Sequence, residues 1–153
     1  MSYTRGQKNF RVDLDESNRV VAEIVNPILK SHGVKFIRYS NSEDKIERKQ
    51  FDGIYTIGKV TFTMEHKTDY RCGETGNIFL EHHDRGKPSG ISTTTANYMT
   101  YYVLEKLYVI ETSKLKEILP LAFRDNVKGG DDYLAMGYLF KWNKIKEYWK
   151  CMS

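Results

Sequence analysis

The segment FDGIYTIGKVTFTMEHK, residues 51–67, constrains this chain more than any other stretch. Phe51 to Ile57 and Val60 to Lys67 read as strands around Gly58-Lys59, and a Gly-X pair is a favoured two-residue hairpin turn. That turn sets the register: Ile57 lies opposite Val60, Tyr55 opposite Phe62, and Asp52 opposite Glu65. Side chains alternate between faces along a strand. One face then carries Phe51, Tyr55, Ile57, Val60, Phe62 and Met64, and reads as a core face. The other carries Asp52, Ile54, Thr56, Thr61, Thr63, Glu65 and Lys67.

Two carboxylates are thus expected directly across the ribbon, with Cβ atoms roughly 5 Å apart, and like charges so placed destabilise a sheet. A divalent cation between them turns repulsion into attraction. Mg²⁺ takes one or two carboxylates, several waters and a substrate's phosphate oxygens. Such an ion polarises a phosphorus centre and acidifies a bound water. Lys67, two residues along on the same face, is placed to orient that water or to neutralise charge growing on the phosphate. The same D…ExK string also fits an ordinary solvated strand face, and spacing alone does not separate the two.

The 153 residues suit a single domain, since two domains of half that length would each be marginal. A hydrophobic content of 40% with 29% charged residues places the chain among globular proteins. The net charge of +4 fits a phosphate-rich partner without demanding one. Cys72 and Cys151 form neither a CxxC pair nor a disulfide framework, which points to a reducing compartment. The opening MSYTRGQKNFRVDLDE lacks the apolar run of a signal peptide. No stretch approaches 18 apolar residues, so no membrane span is expected. A cytoplasmic protein is the expectation.

Residues 1–12 are polar and basic and read as loosely ordered. Asp13 with Glu16 has capping-box spacing. Val20, Val21, Ile24, Val25, Ile28 and Leu29 then recur at helical spacing up to Gly33. Pro27 predicts a kink or break, because its ring strikes the carbonyl of Glu23. Val34 to Tyr39 reads as a strand, Asn41 to Lys49 as a charged, turn-rich connection, Asp69 to Asn77 as a polar loop, and Ile78 to His82 as another strand. The loop DRGKPSG (84–90) follows. Ser92 is placed to cap a helix from about Thr94 to Glu105, ahead of a strand at Leu107 to Ile110. Ser113 starts a helix that Pro120 stops. Asn126 to Asp132 reads as a Gly-rich loop, and residues 133–149 fit strand or helix equally. Helix, strands, helix, strand in that order predict an α/β domain with a mixed sheet.

With Glu23 on the first helix, Asp52 in FDGIY and Glu65-His66-Lys67 in MEHK, the chain resembles the PD-(D/E)xK nuclease superfamily, which includes Holliday-junction resolvases and many restriction enzymes. The resemblance runs from about Asp13 to Val109. The run TGNIFLEHHDRGKPSGISTTTANY is similar to a segment of small phage and bacterial members. The family's core is a helix bearing an acidic residue followed by a hairpin bearing Asp and (D/E)xK. Two departures are that Gly53 follows Asp52 and that Gln50-Phe51 replaces a proline-containing approach; a third is Pro27 beside Glu23.

The resemblance implies a restriction-endonuclease-like mixed β-sheet flanked by helices over residues 1–153. It implies Asp52 and Glu65 as ligands of Mg²⁺ or Mn²⁺, Lys67 as the catalytic lysine, and Glu23 as a further metal or water ligand. The expected activity is hydrolysis of DNA phosphodiester bonds, on branched DNA as by a resolvase, or at defined sites as by a restriction or homing endonuclease. A nucleic-acid-binding protein that keeps the fold without catalysis is the rival. Symmetric junction cutting needs two centres, so a homodimer is expected, working in the host cytoplasm if phage-encoded.

Other residues carry two readings each. Lys87, Ser89, Thr93 and Thr94, with Ser92, fit a phosphate-binding loop and helix start, or a plain surface turn. Glu81 is an extra acid or a solvated edge residue. Tyr98, Tyr101 and Tyr102 on the expected helix are stacking residues or core, with core the favoured reading. His82 and His83, adjacent on a strand, should point to opposite faces, and no cysteine stands at zinc-ligand spacing. Cys72 reads as a bystander thiol. The lysines and arginines after Ser113 fit an electrostatic track for DNA or a solvated basic surface.

Overall fold

A computed structural model describes residues 18–41, 43–129 and 134–153. The expected Asp13 cap and the loosely ordered residues 1–12 lie outside the described residues. The chain is mixed α/β. Helical residues 18–20 lead into a π-helical turn, Val21–Val25, and then into α1, Asn26–Ser31. The Asn26 N–H reaches back five residues to Val21 O. That wider turn is how the helix accommodates Pro27, whose ring would otherwise meet the Glu23 carbonyl. The expected kink is therefore a π-turn, and the helix continues past it. Gly33 (φ 84°) ends the helix, with Gly33 N–H on Lys30 O and Val34 N–H on Leu29 O, each at 3.0 Å. This pair of bonds is a Schellman cap.

A six-stranded mixed sheet follows the order β1-β2-β3-β6-β7-β10. Its members are β1 (Lys35–Tyr39), β2 (Gly53–Ile57), β3 (Val60–Asp69), β6 (Tyr98–Val103), β7 (Lys106–Glu111) and β10 (Lys150–Cys151). β3 and β6 pair in parallel, and the other neighbours are antiparallel. A second, antiparallel sheet has the order β5-β4-β9-β8, made of β4 (Asn77–Asp84), β5 (Lys87–Pro88), β8 (Arg124–Gly129) and β9 (Ala135–Lys141).

Each face of the first sheet meets a different partner. Val20, Val25 and Leu29 pack on Tyr55, Phe62, Met64 and Leu107. Met99, Tyr101, Val103, Tyr108 and Ile110 pack instead with Ile78, Leu80 and Phe140 of the second sheet and with Trp142 and Trp149. Both faces of β3 and β6 are therefore covered.

Several expectations are corrected. Thr94 to Glu105 contains no helix: Gly90–Ser92 is a 3₁₀ turn, and Tyr98–Val103 is the central strand β6. Thr and Tyr favour strands, and a strand buried on both faces shows no polar alternation to betray it. The connection 41–49 contains α2, Lys45–Gln50, capped by Asp44 Oδ1, which accepts from the N–H groups of Ile46 and Glu47 at 3.0 and 3.1 Å. The loop 69–77 contains the single turn α3, Cys72–Thr75. The described part of the expected loop 126–132 belongs to β8.

The helix from Ser113 is α4, Thr112–Glu117, and Pro120 sits in the 3₁₀ turn behind it. The undecided C-terminal stretch resolves into β9, α5 (Trp142–Ile145), a 3₁₀ turn and β10. Among the described residues, no helix is long and apolar enough to cross a membrane.

Candidate metal centre at the β2–β3 ribbon

The hairpin register is the expected one, from Ile57↔Val60 through Tyr55↔Phe62 to Gly53↔Met64. Asp52 sits one residue beyond the ladder, so the expected cross-strand pair of Asp52 with Glu65 is not formed. Its N–H donates to Met64 O at 2.9 Å, and its carbonyl accepts from Ser40 N–H at 2.8 Å. Its Oδ2 accepts the main-chain N–H of His66 at 2.7 Å. Asp52 is thus tied by its side chain to the residue between Glu65 and Lys67.

Glu65 and Lys67 occupy the face of β3 that the parallel register shares with Met99 and Tyr101 of β6. That face is covered, so the solvated-strand reading does not hold for Glu65. Its side chain is buried at 6% exposure, and its Oε2 has no hydrogen-bond partner. Burial pushes the Glu65 carboxyl up to about 7; Lys67 opposes this, the Asp52 charge adds to it, the Thr94 hydroxyl opposes it by hydrogen bonding, and Glu81 adds to it. Burial alone pulls the Lys67 ammonium down, but Glu65, Asp52 and Glu81 overcome it, and the net shift is upward. The lysine therefore stays charged at neutral pH.

The second sheet contributes Glu81 from β4. Glu81 is half-buried and lines the same cleft as Lys67, and its charge raises Glu65, Lys67 and Tyr101. Its Oε2 accepts from Ser89 Oγ at 2.8 Å. Gly90 makes the close passage behind Glu81 possible: its φ is +53°, and a Cβ there would run into the Glu81 carbonyl.

Ser89 is thus the partner of the Glu81 carboxylate, while the Thr94 hydroxyl, next to Glu65, donates its proton to Gln50 O at 2.9 Å. Thr93 is half-buried, and Lys87 is exposed on β5. The expected phosphate site at a helix start loses its basis, because three residues of 3₁₀ turn stand where the helix was expected.

Glu23 is exposed on the π-turn and is not among the charges acting on Glu65 or Lys67. The helix reaches the hairpin through Asn26, whose Oδ1 accepts from Tyr55 OH at 2.6 Å. Tyr55 OH also meets His66 Nε2 at 2.8 Å, and His66 Nδ1 meets Thr100 Oγ1 at 2.7 Å. Burial holds His66 down at about 4, against the pull of Asp52, so the ring is neutral.

Tyr101 is core, its hydroxyl donating to Phe79 O at 2.6 Å, while Tyr98 and Tyr102 pack on the helix side. His82 and His83 do not simply oppose one another. A bulge between Glu81 and His83 brings their Nδ1 atoms to 2.6 Å, and His82 Nε2 lies 3.0 Å from Asp125. Both cysteines are free: Cys72 is buried, and burial raises its thiol.

A cleft of about 450 Å³ opens beside the cluster, lined by Lys67, Asp69, Tyr70 and Arg71 on one side and by Phe79, Glu81 and Lys128 on the other. Among the described residues, no three His, Cys, Asp or Glu side chains stand close enough to cage a metal by themselves. A two-carboxylate site completed by water and phosphate does not require such a cage. The unpartnered buried Oε2 of Glu65 fits a hard divalent cation, because a buried carboxylate oxygen without a hydrogen-bond partner is otherwise costly. No family model matches the sequence, and no curated protein matches it.

Proposed function

We propose that this protein is a metal-dependent endonuclease that hydrolyses DNA phosphodiester bonds, acting as a homodimer on branched or structured DNA in the manner of Holliday-junction resolvases. The observation that carries the proposal is the buried Glu65 carboxylate, one oxygen unpartnered, beside Asp52 and a charged Lys67 at the edge of an open cleft. A helix packed on a hairpin that bears D…ExK also agrees with the PD-(D/E)xK resemblance.

Asp52 and Glu65 would hold Mg²⁺ or Mn²⁺. A divalent ion bound there supplies neutralising charge to the phosphate and an acidified water. The chain's own residues do the rest. The His66 N–H fixes the direction of the Asp52 carboxylate. Lys67 offers a permanent positive charge to the scissile phosphate's oxygens, where negative charge grows. Glu81, held by Ser89, adds a third carboxylate that keeps Lys67 protonated.

The test is digestion of a plasmid and of a synthetic four-way junction, with Mg²⁺ or with EDTA, by the native protein and by Lys67→Ala and Asp52→Asn. Junction cutting that needs Mg²⁺ and disappears in both variants is the expected result. Junction binding without any metal-dependent cutting would make the protein a non-catalytic nucleic-acid binder. Cutting that survives both substitutions would move the active site elsewhere. Plasmid cut at fixed positions, with the junction intact, would make it restriction-like.

A further inference from the structure

We propose that the cleft beside Lys67 seats an unpaired nucleic-acid strand, with Tyr70 as its stacking platform and Arg71 and Lys128 as its phosphate contacts. The use of that strand for cutting rests on the nuclease reading; its binding does not. The cleft's volume of about 450 Å³ is the first reason. That size falls in the range that encloses one small-molecule-sized group, roughly 300–1,000 Å³. A single nucleotide enters such a space, whereas an intact duplex keeps its bases inside and presents only its backbone.

The lining is the second reason. Proteins that hold single strands combine a basic groove with exposed aromatic rings. Here Lys67, Arg71 and Lys128 supply positive charge, and Phe79, Tyr101 and Leu139 supply apolar wall. Tyr70 is 72% exposed, a large aromatic left in solvent at the cleft's edge. Its place is fixed by the preceding residue. The Asp69 Oδ1 accepts the N–H groups of Arg71 and Cys72 at 2.8 Å each, which locks the turn that carries Tyr70. Asp69 is thereby occupied with main-chain donors and Glu81 with Ser89. Arg71 and Lys128 are left as the cleft's cations outside the carboxylate cluster around Lys67, placed to meet phosphate.

Fluorescence anisotropy of a labelled oligothymidine and of a blunt duplex of equal length, both in EDTA, tests the proposal. The single strand should bind more tightly. Tyr70→Ala should weaken it by roughly 5- to 150-fold, the usual range for loss of one stacked base, and Tyr70→Phe should not. Lys128→Ala should reduce the salt slope of single-strand binding by about 0.7, the value for one phosphate contact. Equal or tighter duplex binding, or a Tyr70→Ala variant that binds like the native protein, would overturn it. The two proposals fail separately: single-strand binding without Mg²⁺-dependent cutting sinks the nuclease, and cutting of a blunt duplex without single-strand preference sinks this one.

Discussion

The main-chain N–H of His66 donates to the Asp52 carboxylate at 2.7 Å, so the residue ahead of β2 is anchored to the middle of the Glu65-His66-Lys67 run. The His66 side chain points the other way, into bonds with Tyr55 and Thr100 beneath the N-terminal helix. One residue therefore serves the site through its backbone and the core through its ring.

Asp52→Asn and Asp52→Ala are expected to part company because of that bond. An asparagine oxygen can still accept from His66, so Asn should keep native stability while losing divalent-ion affinity. Alanine leaves a half-buried donor unpaired, which costs about 1–3 kcal/mol. Urea denaturation of the metal-free proteins, alongside calorimetric titration with Mn²⁺, separates the two. Equal destabilisation by both substitutions would mean that the His66 bond contributes little.

Tyr55→Phe should be a stability variant with little effect on cutting. It removes the hydroxyl that joins Asn26 to His66. Both half-buried partners then lose a hydrogen bond, at a cost of about 1–3 kcal/mol. The denaturation midpoint should fall while KM stays unchanged under conditions where the variant is folded. A raised KM with unchanged stability would instead connect this network to substrate.

The hairpin was legible because a two-residue turn and a two-residue period leave only one register, from Ile57↔Val60 to Gly53↔Met64; the expected Asp52–Glu65 pair lies outside that ladder, since the Asp52 N–H goes to Met64 O. The first helix was legible for the same kind of reason: Val21, Val25 and Leu29 recur every four residues. What lay across the fold was not. Glu81 comes to Glu65 from another sheet, and no local pattern encodes that approach. The phase of Glu23 was lost at the π-turn, where the helix departs from its 3.6-residue period. The strand at Tyr98–Val103 was hidden by its cover on both faces. The cap of α2 was present as Asp44 with Glu47 three residues on, a capping-box spacing that charge-rich neighbours obscured.

Gly90 is expected to be intolerant of any side chain. Its φ of +53° disfavours L-residues, and the added Cβ would collide with the carbonyl of Glu81. Gly90→Ala should therefore destabilise by more than the roughly 1 kcal/mol that a compatible Gly-to-Ala change shifts stability. It should also displace Glu81, weakening cutting beyond what unfolding explains. Thermal melting and the rate at saturating substrate, measured together, check both parts. A Gly90→Ala protein as stable as the native one would contradict the close passage.

The metal-free protein should respond to pH through Glu65 in a direction opposite to most carboxylates. A carboxyl whose pKa is raised on folding binds its proton more tightly in the native state, so its contribution to stability is full below the unfolded value and is lost as pH rises. For Glu65 that window runs from the ordinary carboxylate range to about 7. His66, held down at about 4, works the other way: its contribution is lost as pH falls below its unfolded value toward 4. The two effects overlap at mildly acid pH, so the native protein's profile alone does not isolate Glu65. Comparison with Glu65→Gln does, because the variant keeps His66 and removes the carboxyl. The stability of Glu65→Gln relative to native should climb from the ordinary carboxylate range to about pH 7 and level off above it, by about 1.4 kcal/mol for each unit of upward displacement. Saturating Mn²⁺ should close that gap by stabilising only the native protein, since a ligand that binds the folded state raises its apparent stability. A stability difference that stays flat across this range would remove the buried, proton-holding carboxylate on which the metal centre is built.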